Sequence, residues 1–358
     1  DASEEFAMLH PTDEQLSMIN VPSNLRPYEN DVEYQGRLSI TSLPRETVDL
    51  YGDNLGAAVQ NYADNAVEMT KHVHPDVIHC HDWMTYSAGI RAARFHRKPL
   101  IAHIHATEYD RTDFNPNPWI AEREREGFIA ADHIIAVSQY TKDLLIKYYG
   151  ISGNKISVVH NGHDHVHSQS GSRMFIRHGT EHLPMVLFLG RLTVQKNPWQ
   201  FLDMAKTIND IRPEVQFVMA GDGGMLTKLI DRACELGLSE NMIFTGKVNT
   251  KEANKLFARA DCFVMPSISE PFGLVALEAI GHGTPVVLSK QSGAAEVVDA
   301  AFKVDFWDTD KMADCVLTIL REQPLAMQLK AEAPRVLQKL TWKNRAGHVH
   351  GLYRHIIS

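Results

Sequence analysis

The sequence predicts an α/β fold made of two doubly wound domains, each a parallel sheet with helices on both faces. Three observations predict it. Short apolar runs alternate with helical patterns from residue 53 to residue 357, which is typical of βαβ units. Polar or glycine-containing loops follow these runs, where parallel sheets bind ligands. The length of 358 residues, with 44% hydrophobic and 22% charged residues, suits about two globular domains.

The first predicted domain spans residues 1–163, and its front lacks part of a doubly wound unit. Residues 1–48 are polar, punctuated by proline, and contain no apolar strand followed by a glycine-rich turn, with which such domains begin. We therefore expect the first βαβ unit to be missing. Three explanations stay open: an incomplete chain, a unit supplied by another segment or a second chain, or a trimmed protein that no longer catalyses.

Polar side chains follow two predicted strands of this domain. Asp82 and Trp83 come after the first, and His105 and Glu108 after the second. The carboxyl ends of parallel strands share one edge of a sheet, so we expect these residues to cluster at a ligand site. Ser138 is expected to cap a helix. Strands are predicted over residues 76–80, 99–104, 131–137 and 155–159, and helices over 53–73, 88–95, 119–130 and 140–149, with a polar loop over 105–111. The helix over 119–130 is rich in Glu and Arg, and its charged surface is expected to face solvent.

The second predicted domain spans residues 164–340 and begins with a polar hinge over 164–181. After its first strand, Gly190 permits close approach of a backbone, and Arg191 and Lys196 place two cations beside a helix start, which suits a diphosphate. The Gly221–Gly224 turn lacks the full dinucleotide fingerprint, which argues against a dehydrogenase. Strands are predicted over residues 185–189, 215–220, 242–245, 261–266 and 284–288, and helices over 199–208, 308–321, 324–340 and 344–357.

Residues 267–287 contain the most informative pattern of the chain. Pro271 supplies a φ suited to a helix start, residues 272–280 are apolar at helical spacing, and Gly281 and Gly283 stop the helix. A strand therefore leads into a helix N-terminus, whose N–H groups carry roughly half a positive charge and bind phosphate. The predicted anion-binding amides are those of Phe272, Gly273 and Leu274.

Two carboxylates accompany this predicted helix. Glu270 lies at its mouth and Glu278 lies eight positions further on, so one helical face presents both. Glu270 is suited to accept hydrogen bonds from sugar hydroxyls and Glu278 from ribose hydroxyls. Amides that can bind phosphate, next to carboxylates that can accept hydrogen bonds from hydroxyls, indicate a site for a sugar nucleotide.

Composition excludes several other classes. A net charge of -8 gives no basic footprint for nucleic acid. Four scattered cysteines without a CxxC pair favour a reduced, cytoplasmic setting. No run approaches the roughly 18 apolar residues of a transmembrane segment. Histidines are frequent, at 19, with the pairs His79/His81 and His103/His105 and a group at 160–167, but no carboxylate or cysteine partner completes a recognisable set of metal ligands with them. We therefore expect no metal site.

The Glu270–Glu278 spacing, in the context Glu-Pro-Phe-Gly-Leu, resembles the signature of retaining, two-domain GT-B glycosyltransferases, in particular family 4, which includes glycogen synthase-like and sucrose-phosphate synthase-like enzymes. The tracts at residues 81–83 and 160–162 match the same family in order. The resemblance implies two Rossmann-like domains that face each other across a cleft. It also implies that residues 341–358 form a helix that crosses back to the first domain.

The resemblance also implies residue roles. His105 is expected to approach the transferred sugar, while Asp82, Trp83 and, in the same cluster, Glu108 face the acceptor. Arg191 and Lys196 are expected to bind the diphosphate of the donor. Backbone groups at Lys247 and Val248 are expected to hold the base. The resemblance further implies that transfer retains the anomeric configuration and uses neither a metal nor another cofactor.

We thus expect a cytoplasmic hexosyltransferase that moves glucose from UDP- or ADP-glucose to an α-glucan, as glycogen synthase does. One alternative is a family 4 transferase with a small or lipid acceptor, of mannosyltransferase or sucrose-phosphate synthase type. Another is a non-catalytic remnant that binds a nucleotide or a glycan. The sequence leaves the sugar, the base, the acceptor and the oligomeric state open.

Overall fold

The structure, a computed structural model, describes residues 18–21, 52–163 and 183–358. The predicted front unit and the predicted hinge fall almost entirely outside these residues, so the expectations for them and for the domain boundaries remain predictions. Within the described residues lie two parallel sheets, one of four strands and one of six.

The first sheet has the strand order β1-β2-β3-β4, and every pairing is parallel. Its strands are β1 (Ile78–His81), β2 (Leu100–Ile104), β3 (His133–Ala136) and β4 (Ile156–Val158). The helices of this part are α1 (Gly52–Thr70), α2 (Trp83–His96), α3 (Glu108–Arg111), α4 (Pro118–Ala130) and α5 (Gln139–Tyr149). Ser138 caps α5 as predicted, because its side chain accepts a hydrogen bond from the Thr141 N–H.

The second sheet has the order β10-β9-β8-β5-β6-β7, again all parallel. Its strands are β5 (Met185–Leu189), β6 (Gln216–Ala220), β7 (Met242–Gly246), β8 (Cys262–Met265), β9 (Val286–Ser289) and β10 (Phe302–Val304). From β5 the chain builds the sheet outward first through β6 and β7 and then, on the other side, through β8, β9 and β10. The gap between β5 and β8 is therefore the topological switch point of a doubly wound sheet. The three-residue strand β10 carries too short an apolar run to be predicted.

Helices cover both faces of the second sheet. Along β5, Val186 and Phe188 lie in one core layer, whereas Met185 and Leu187 lie in the other. Alternation between two buried layers is the pattern expected of a parallel strand enclosed on both faces. The helices are α6 (Pro198–Ile211), α7 (Leu226–Glu235), α8 (Thr250–Arg259), α9 (Leu274–Gly281), α10 (Ala294–Val297), α11 (Thr309–Arg321) and α12 (Gln323–Lys339).

The last helix, α13 (Trp342–Ile357), lies against the first sheet. Its residues Val349, Leu352 and Tyr353 pack on Ile101 and Ile135 of that sheet. The chain thus returns to the first domain after completing the second, in the manner that the resemblance implies. None of the helices that the structure describes combines the length and apolar character needed to cross a membrane.

Three local predictions are corrected. The helix expected to start after Pro271 begins at Leu274, because Gly273 adopts a φ of 99° that no helix contains. The polar loop after β2 includes the helical turn α3, which a capping box at Thr107 begins. Helix α4, expected to have a solvated charged surface, buries Glu124 completely.

Candidate active site

The loops that follow β5 and β8 meet at the switch point of the second sheet. The Lys196 Nζ lies 2.5 Å from Glu270 Oε2, which also accepts a hydrogen bond from Ser267 Oγ at 3.2 Å. The Lys196 and Glu270 side chains are 19% and 8% exposed. Ligands of doubly wound sheets bind outside the carboxyl ends of the strands at this point. The structure thus brings together two of the predicted site residues.

Hydrogen bonds between the two loops hold the pair in place. The 3₁₀ turn Val194–Lys196 ends at Asn197, whose Nδ2 donates to the Pro266 carbonyl at 3.0 Å. The Ile268 N–H donates to the Gln195 carbonyl, and Gln195 Nε2 donates to the Ser269 carbonyl, both at 3.0 Å. Because these bonds do not involve a ligand, the charged pair is preorganised.

Glycines allow the neighbouring loops to approach. A Cβ on Gly190 would lie 3.9 Å from the Lys196 side chain, so Gly190 borders the charged pair. Gly221, at φ 138°, packs so closely that a Cβ would lie 1.9 Å from the Gly190 carbonyl oxygen. Gly221 and Gly223, where a Cβ would lie 2.5 Å from the Leu192 carbonyl oxygen, therefore allow the loops to pack beside the site.

The N-terminus of α9 also borders the pair. A Cβ on Gly273 would lie 3.2 Å from Glu270 Cγ. The first N–H groups of a helix have no partner within it. The amides of Leu274 and Val275 are therefore the ones offered to an anion, since the Ala276 N–H already donates to the Gly273 carbonyl at 3.0 Å. Phe272, predicted to contribute an amide, precedes the helix, and its ring is 3% exposed in the core. Its carbonyl accepts from the Ala294 N–H at 2.6 Å.

Glu278 and Arg191 are available for a ligand. Glu278 is half-buried on α9, and no hydrogen bond or ion pair ends on its carboxylate within the described part of the chain. Burial raises its pKa, which His282 opposes only in part. Arg191 is exposed, and none of the described acidic residues forms an ion pair with it. Both groups have the unsatisfied charge that a bound sugar nucleotide would complement.

Lys247 and Val248 follow β7 at the same edge of the sheet. The carbonyl of Gly246 accepts from the Gly221 N–H at 2.9 Å, which places this turn beside the glycine loop. Lys247 is exposed, whereas Val248 packs partly against the core. Their backbone is thus within the row of strand-end loops that surrounds Lys196.

In the first domain, Asp82 and His105 lie together at the ends of β1 and β2. The Asp82 Oδ1 accepts from the His105 N–H at 2.8 Å, and the Asp82 N–H donates to the His103 carbonyl at 2.9 Å. Asp82 has φ 58° and ψ 165°, a conformation that costs about 1–3 kcal/mol outside glycine. Strain of this kind is retained where the surrounding structure requires the geometry, which here is the position of His105.

The structure buries the two other residues that were expected to face the acceptor. The Trp83 ring is 3% exposed and packs edge-on against Trp119, with ring centroids 5.6 Å apart. Glu108 is completely buried, and its carboxylate accepts from Arg111 Nε at 3.1 Å. Both predicted contacts with the acceptor are therefore corrected, because core packing and an ion pair already engage these side chains.

A hydrogen-bonded contact joins the two clusters across the cleft. The Ser269 hydroxyl donates to the buried carboxylate of Asp110 on α3. The Tyr140 hydroxyl donates to Ser269 Oγ at 2.8 Å. Ser269 precedes Glu270, and Asp110 follows the His105 loop, so this contact sets the first-domain cluster beside the charged pair.

Glu296 makes a second cross-domain contact, which the sequence did not reveal. Its carboxylate accepts from the N–H groups of Gln139 and Tyr140 at 2.8 and 2.7 Å, and it lies 2.8 Å from His160 Nε2. Burial raises the pKa of Glu296, but the hydrogen bonds from His160, Tyr140 and Gln139 outweigh it, so the pKa is lowered. A glutamate of the second domain thus caps helix α5 of the first.

Gly293 permits this approach of the domains. A Cβ on Gly293 would lie 2.6 Å from Ser138 Cβ and 2.4 Å from the Pro271 carbonyl oxygen. The sequence indicated Ser138 as a helix cap and the tract at 160–162 as a match to the family. Only the fold shows that both lie opposite the glycine turn before α10.

Two Rossmann-like domains that face each other across a cleft define the GT-B fold. The chain belongs to the glycosyltransferases, and specifically to family 4. Residues 174–336 match the family described as Glycosyl transferases group 1, and residues 33–167 match Glycosyltransferase Family 4.

Individual relatives agree with this assignment. An uncharacterized glycosyltransferase of Methanocaldococcus jannaschii is 30% identical over 294 residues, which cover 78% of this chain and 75% of the relative. The glycogen synthase of Mycobacterium tuberculosis is 31% identical over 274 residues, which cover 75% and 64%. The solved sucrose-phosphate synthase of Thermosynechococcus elongatus has the same fold, with a TM-score of 0.74 at 19% identity over 88% of this chain and 80% of that one.

Proposed function

We propose that the protein transfers glucose, with retention of configuration, from UDP- or ADP-glucose to a hydroxyl of an α-glucan. The observation that carries the proposal is the Lys196–Glu270 pair at the switch point, bordered by Gly190 and the N-terminus of α9. Similarity to a glycogen synthase supports the choice of donor class and acceptor. The scattered cysteines, of which three are buried and free, support a cytoplasmic setting.

Cationic groups would stabilise the leaving diphosphate. Negative charge develops there as the glycosidic bond to the nucleotide breaks. Lys196, Arg191 and the first amides of α9 would each contribute about 1.5–3 kcal/mol as charge-assisted hydrogen bonds. Within the described residues, both bonds that reach the Glu270 carboxylate end on Oε2. Glu270 therefore holds the Lys196 ammonium with one oxygen and offers Oε1 to a sugar hydroxyl.

The rest of the donor would follow the row of strand-end loops. Glu278 would accept hydrogen bonds from the ribose hydroxyls, which would satisfy its half-buried carboxylate. The backbone at Lys247 and Val248 would hold the base. His105, positioned by Asp82 on the opposite domain, would approach the transferred sugar.

Retention requires that the acceptor attack from the side on which the diphosphate leaves. Retaining hydrolases achieve it with two carboxylates about 5 Å apart. Glu270 lies in the loop before α9 and pairs with Lys196, whereas Glu278 lies about one turn inside that helix, so we do not propose that mechanism here. We propose instead that a phosphate oxygen takes the proton of the acceptor hydroxyl, and that this step needs neither a metal nor another cofactor.

A donor panel tests the proposal. UDP, ADP and GDP, with their glucose and mannose conjugates, would be added to the full chain while its melting temperature is recorded, since a ligand of the native state raises it. We expect UDP or ADP and the matching glucose conjugate to raise the melting temperature. Transfer to glycogen, with an α-linked product by NMR, is the expected reaction. The absence of both binding and transfer would refute the proposal.

One other function is favoured by a specific observation. The likeness of fold to a sucrose-phosphate synthase supports an acceptor smaller than a glucan. Transfer assays that offer sugar phosphates as acceptors and a glucose nucleotide as donor would reveal it.

A further inference from the structure

Three histidines share one face of the first sheet. His79 and His81 are two residues apart on β1, so their side chains lie on the same face of the sheet. The parallel register sets His81 opposite His103 on β2. The rings lie side by side, with centroids 4.5 Å apart for His79 and His81, 4.9 Å for His81 and His103, and 5.3 Å for His79 and His103.

Within the described part of the chain, several nitrogens of this cluster lack hydrogen-bond partners. His103 is 8% exposed, and neither of its ring nitrogens has a partner among these residues. The Nε2 of His79 is likewise buried without a partner among them. Buried polar groups are almost always hydrogen-bonded, so unsatisfied ones call for an explanation.

We propose that His79, His81 and His103 bind one Zn²⁺ ion. One nitrogen from each ring lies within 4.8 Å of the others. Zinc bonds to imidazole measure about 2.0–2.1 Å, which separates tetrahedral ligands by about 3.3 Å, and a modest rotation of the side chains closes the difference. Neutral imidazoles suit zinc better than calcium or magnesium. Three protein ligands leave a fourth position for water or a substrate oxygen.

Outer hydrogen bonds orient two of the rings for this role. The Nδ1 of His79 lies 2.5 Å from the Tyr353 hydroxyl, and the Nδ1 of His81 lies 2.9 Å from His105 Nε2. A hydrogen on each Nδ1 leaves the lone pair of Nε2 for the metal, as is usual for metal-bound histidine. Tyr353 belongs to α13, so the ion would link the crossing helix to the first sheet.

The zinc site is separate from the groups proposed to bind the donor. Lys196, Glu270 and Glu278 belong to the second domain, whereas the histidines lie on the first. His105 lies beside His81 and is itself proposed to approach the transferred sugar. Zinc affinity can therefore be measured without any donor or transfer, and the two proposals fail independently.

Titration of the metal-free chain tests the site. The full-length protein would be stripped with EDTA, dialysed and titrated with ZnCl₂ by calorimetry. We expect one ion per chain, and Co²⁺ should give the visible absorption of a tetrahedral complex. His79→Gln and His103→Gln should each weaken zinc binding at least ten-fold. His350→Gln, an exposed histidine on α13, is the matched control and should bind as the wild type does.

A conservative change separates metal positioning from mere packing. Tyr353→Phe keeps the ring but removes the hydroxyl beside His79, and should weaken zinc binding by roughly 10-fold while the stoichiometry stays at one. Circular dichroism would show whether each variant is folded; if His103→Gln is not, His79→Gln and Tyr353→Phe carry the test. Wild-type affinity in both of these, or no zinc binding by the wild type, would overturn the proposal.

Discussion

Single residues of the cleft show how partial burial strengthens the interaction between two opposite charges. Lys196 and Glu270 face each other with most of their surface withdrawn from water, where charges interact more strongly than in bulk solvent. Loss of either partner would leave the other buried and unpaired, which is costly. Glu278, by contrast, has no partner among the described residues, so it is the better residue for testing ligand binding without disturbing the pair.

Replacement of Glu278 should weaken nucleotide binding. Glu278→Ala removes the carboxylate proposed to accept from the ribose hydroxyls, and we expect at least ten-fold lower affinity for the nucleoside diphosphate, about 1.4 kcal/mol. Isothermal titration calorimetry with the nucleoside diphosphate measures this affinity. Glu240→Ala, which changes an exposed glutamate of the same domain, is the control. Equal affinities of the two variants would contradict the proposed role.

Replacement of Arg191 should act mainly on turnover. The charge that this guanidinium would meet grows as the diphosphate leaves, so the interaction is stronger in the transition state than in the ground state. Arg191→Ala should lower kcat more than it raises KM for the donor in a steady-state transfer assay. Lys228→Ala removes an exposed cation from α7 and should change neither. A loss of donor affinity with turnover intact would count against this interpretation.

Among the elements, helix α4 depends on a buried carboxylate. Glu124 is completely buried and accepts from Arg111 Nη2 at 2.6 Å, from the Glu108 N–H at 3.0 Å and from the Tyr149 hydroxyl. These bonds tie α4 to the helical turn α3 and to α5. They therefore fix the loop that follows β2 and contains His105.

Removal of Glu124 should destabilise the first domain. Glu124→Ala leaves the Arg111 guanidinium with one partner fewer, and breaking a buried pair costs about 3–5 kcal/mol. Urea denaturation followed by circular dichroism measures the change. Glu122→Ala on the same helix is the control, because the Glu122 side chain is 52% exposed and exposed pairs contribute about 0–1 kcal/mol. Similar losses in the two variants would rule out this account.

For the whole molecule, the decisive contacts are those between domains. Ser269 joins Asp110 and Tyr140, while Glu296 joins the start of α5 and His160. Both contacts lie beside the cleft, where a helix N-terminus favours a carboxylate. The relative position of the two halves, and hence the distance from His105 to the donor loops, rests on these few polar groups.

The Glu296 contact should make stability depend on pH. Its pKa is lowered in the folded state from the ordinary value of 4.5. The stabilisation is therefore complete above about pH 4.5 and is lost as the pH falls through the lower, folded-state pKa. Unfolding of the wild type and of Glu296→Gln would be compared over a pH series. We expect the free energy of unfolding to be larger for the wild type than for the variant at pH 7, and this difference to shrink in acid. A difference that stays constant over the pH series would argue against a contribution from the Glu296 carboxylate.

Much of the fold could be predicted because its signals are local. Nine of the ten strands follow apolar runs, Ser138 caps its helix, and the glycines at 281 and 283 end α9. The cluster of Lys196 with Glu270 was predictable as well, since the carboxyl ends of parallel strands share an edge. The contacts with the acceptor that were expected of Trp83 and Glu108 could not be tested from the sequence. A polar or aromatic residue that follows a strand gives the same sequence pattern whether its side chain faces the cleft or the core.

By itself, the sequence determined the order of the elements, the family and the loops that are proposed to form the donor site, because strand period, capping and glycine turns act over a few residues. Tertiary structure alone decided which polar groups are buried and which meet across the cleft. Glu296 caps a helix that begins 157 residues earlier, and the register of β1 against β2 aligns three imidazoles. Such contacts depend on packing and strand register, which no local pattern encodes.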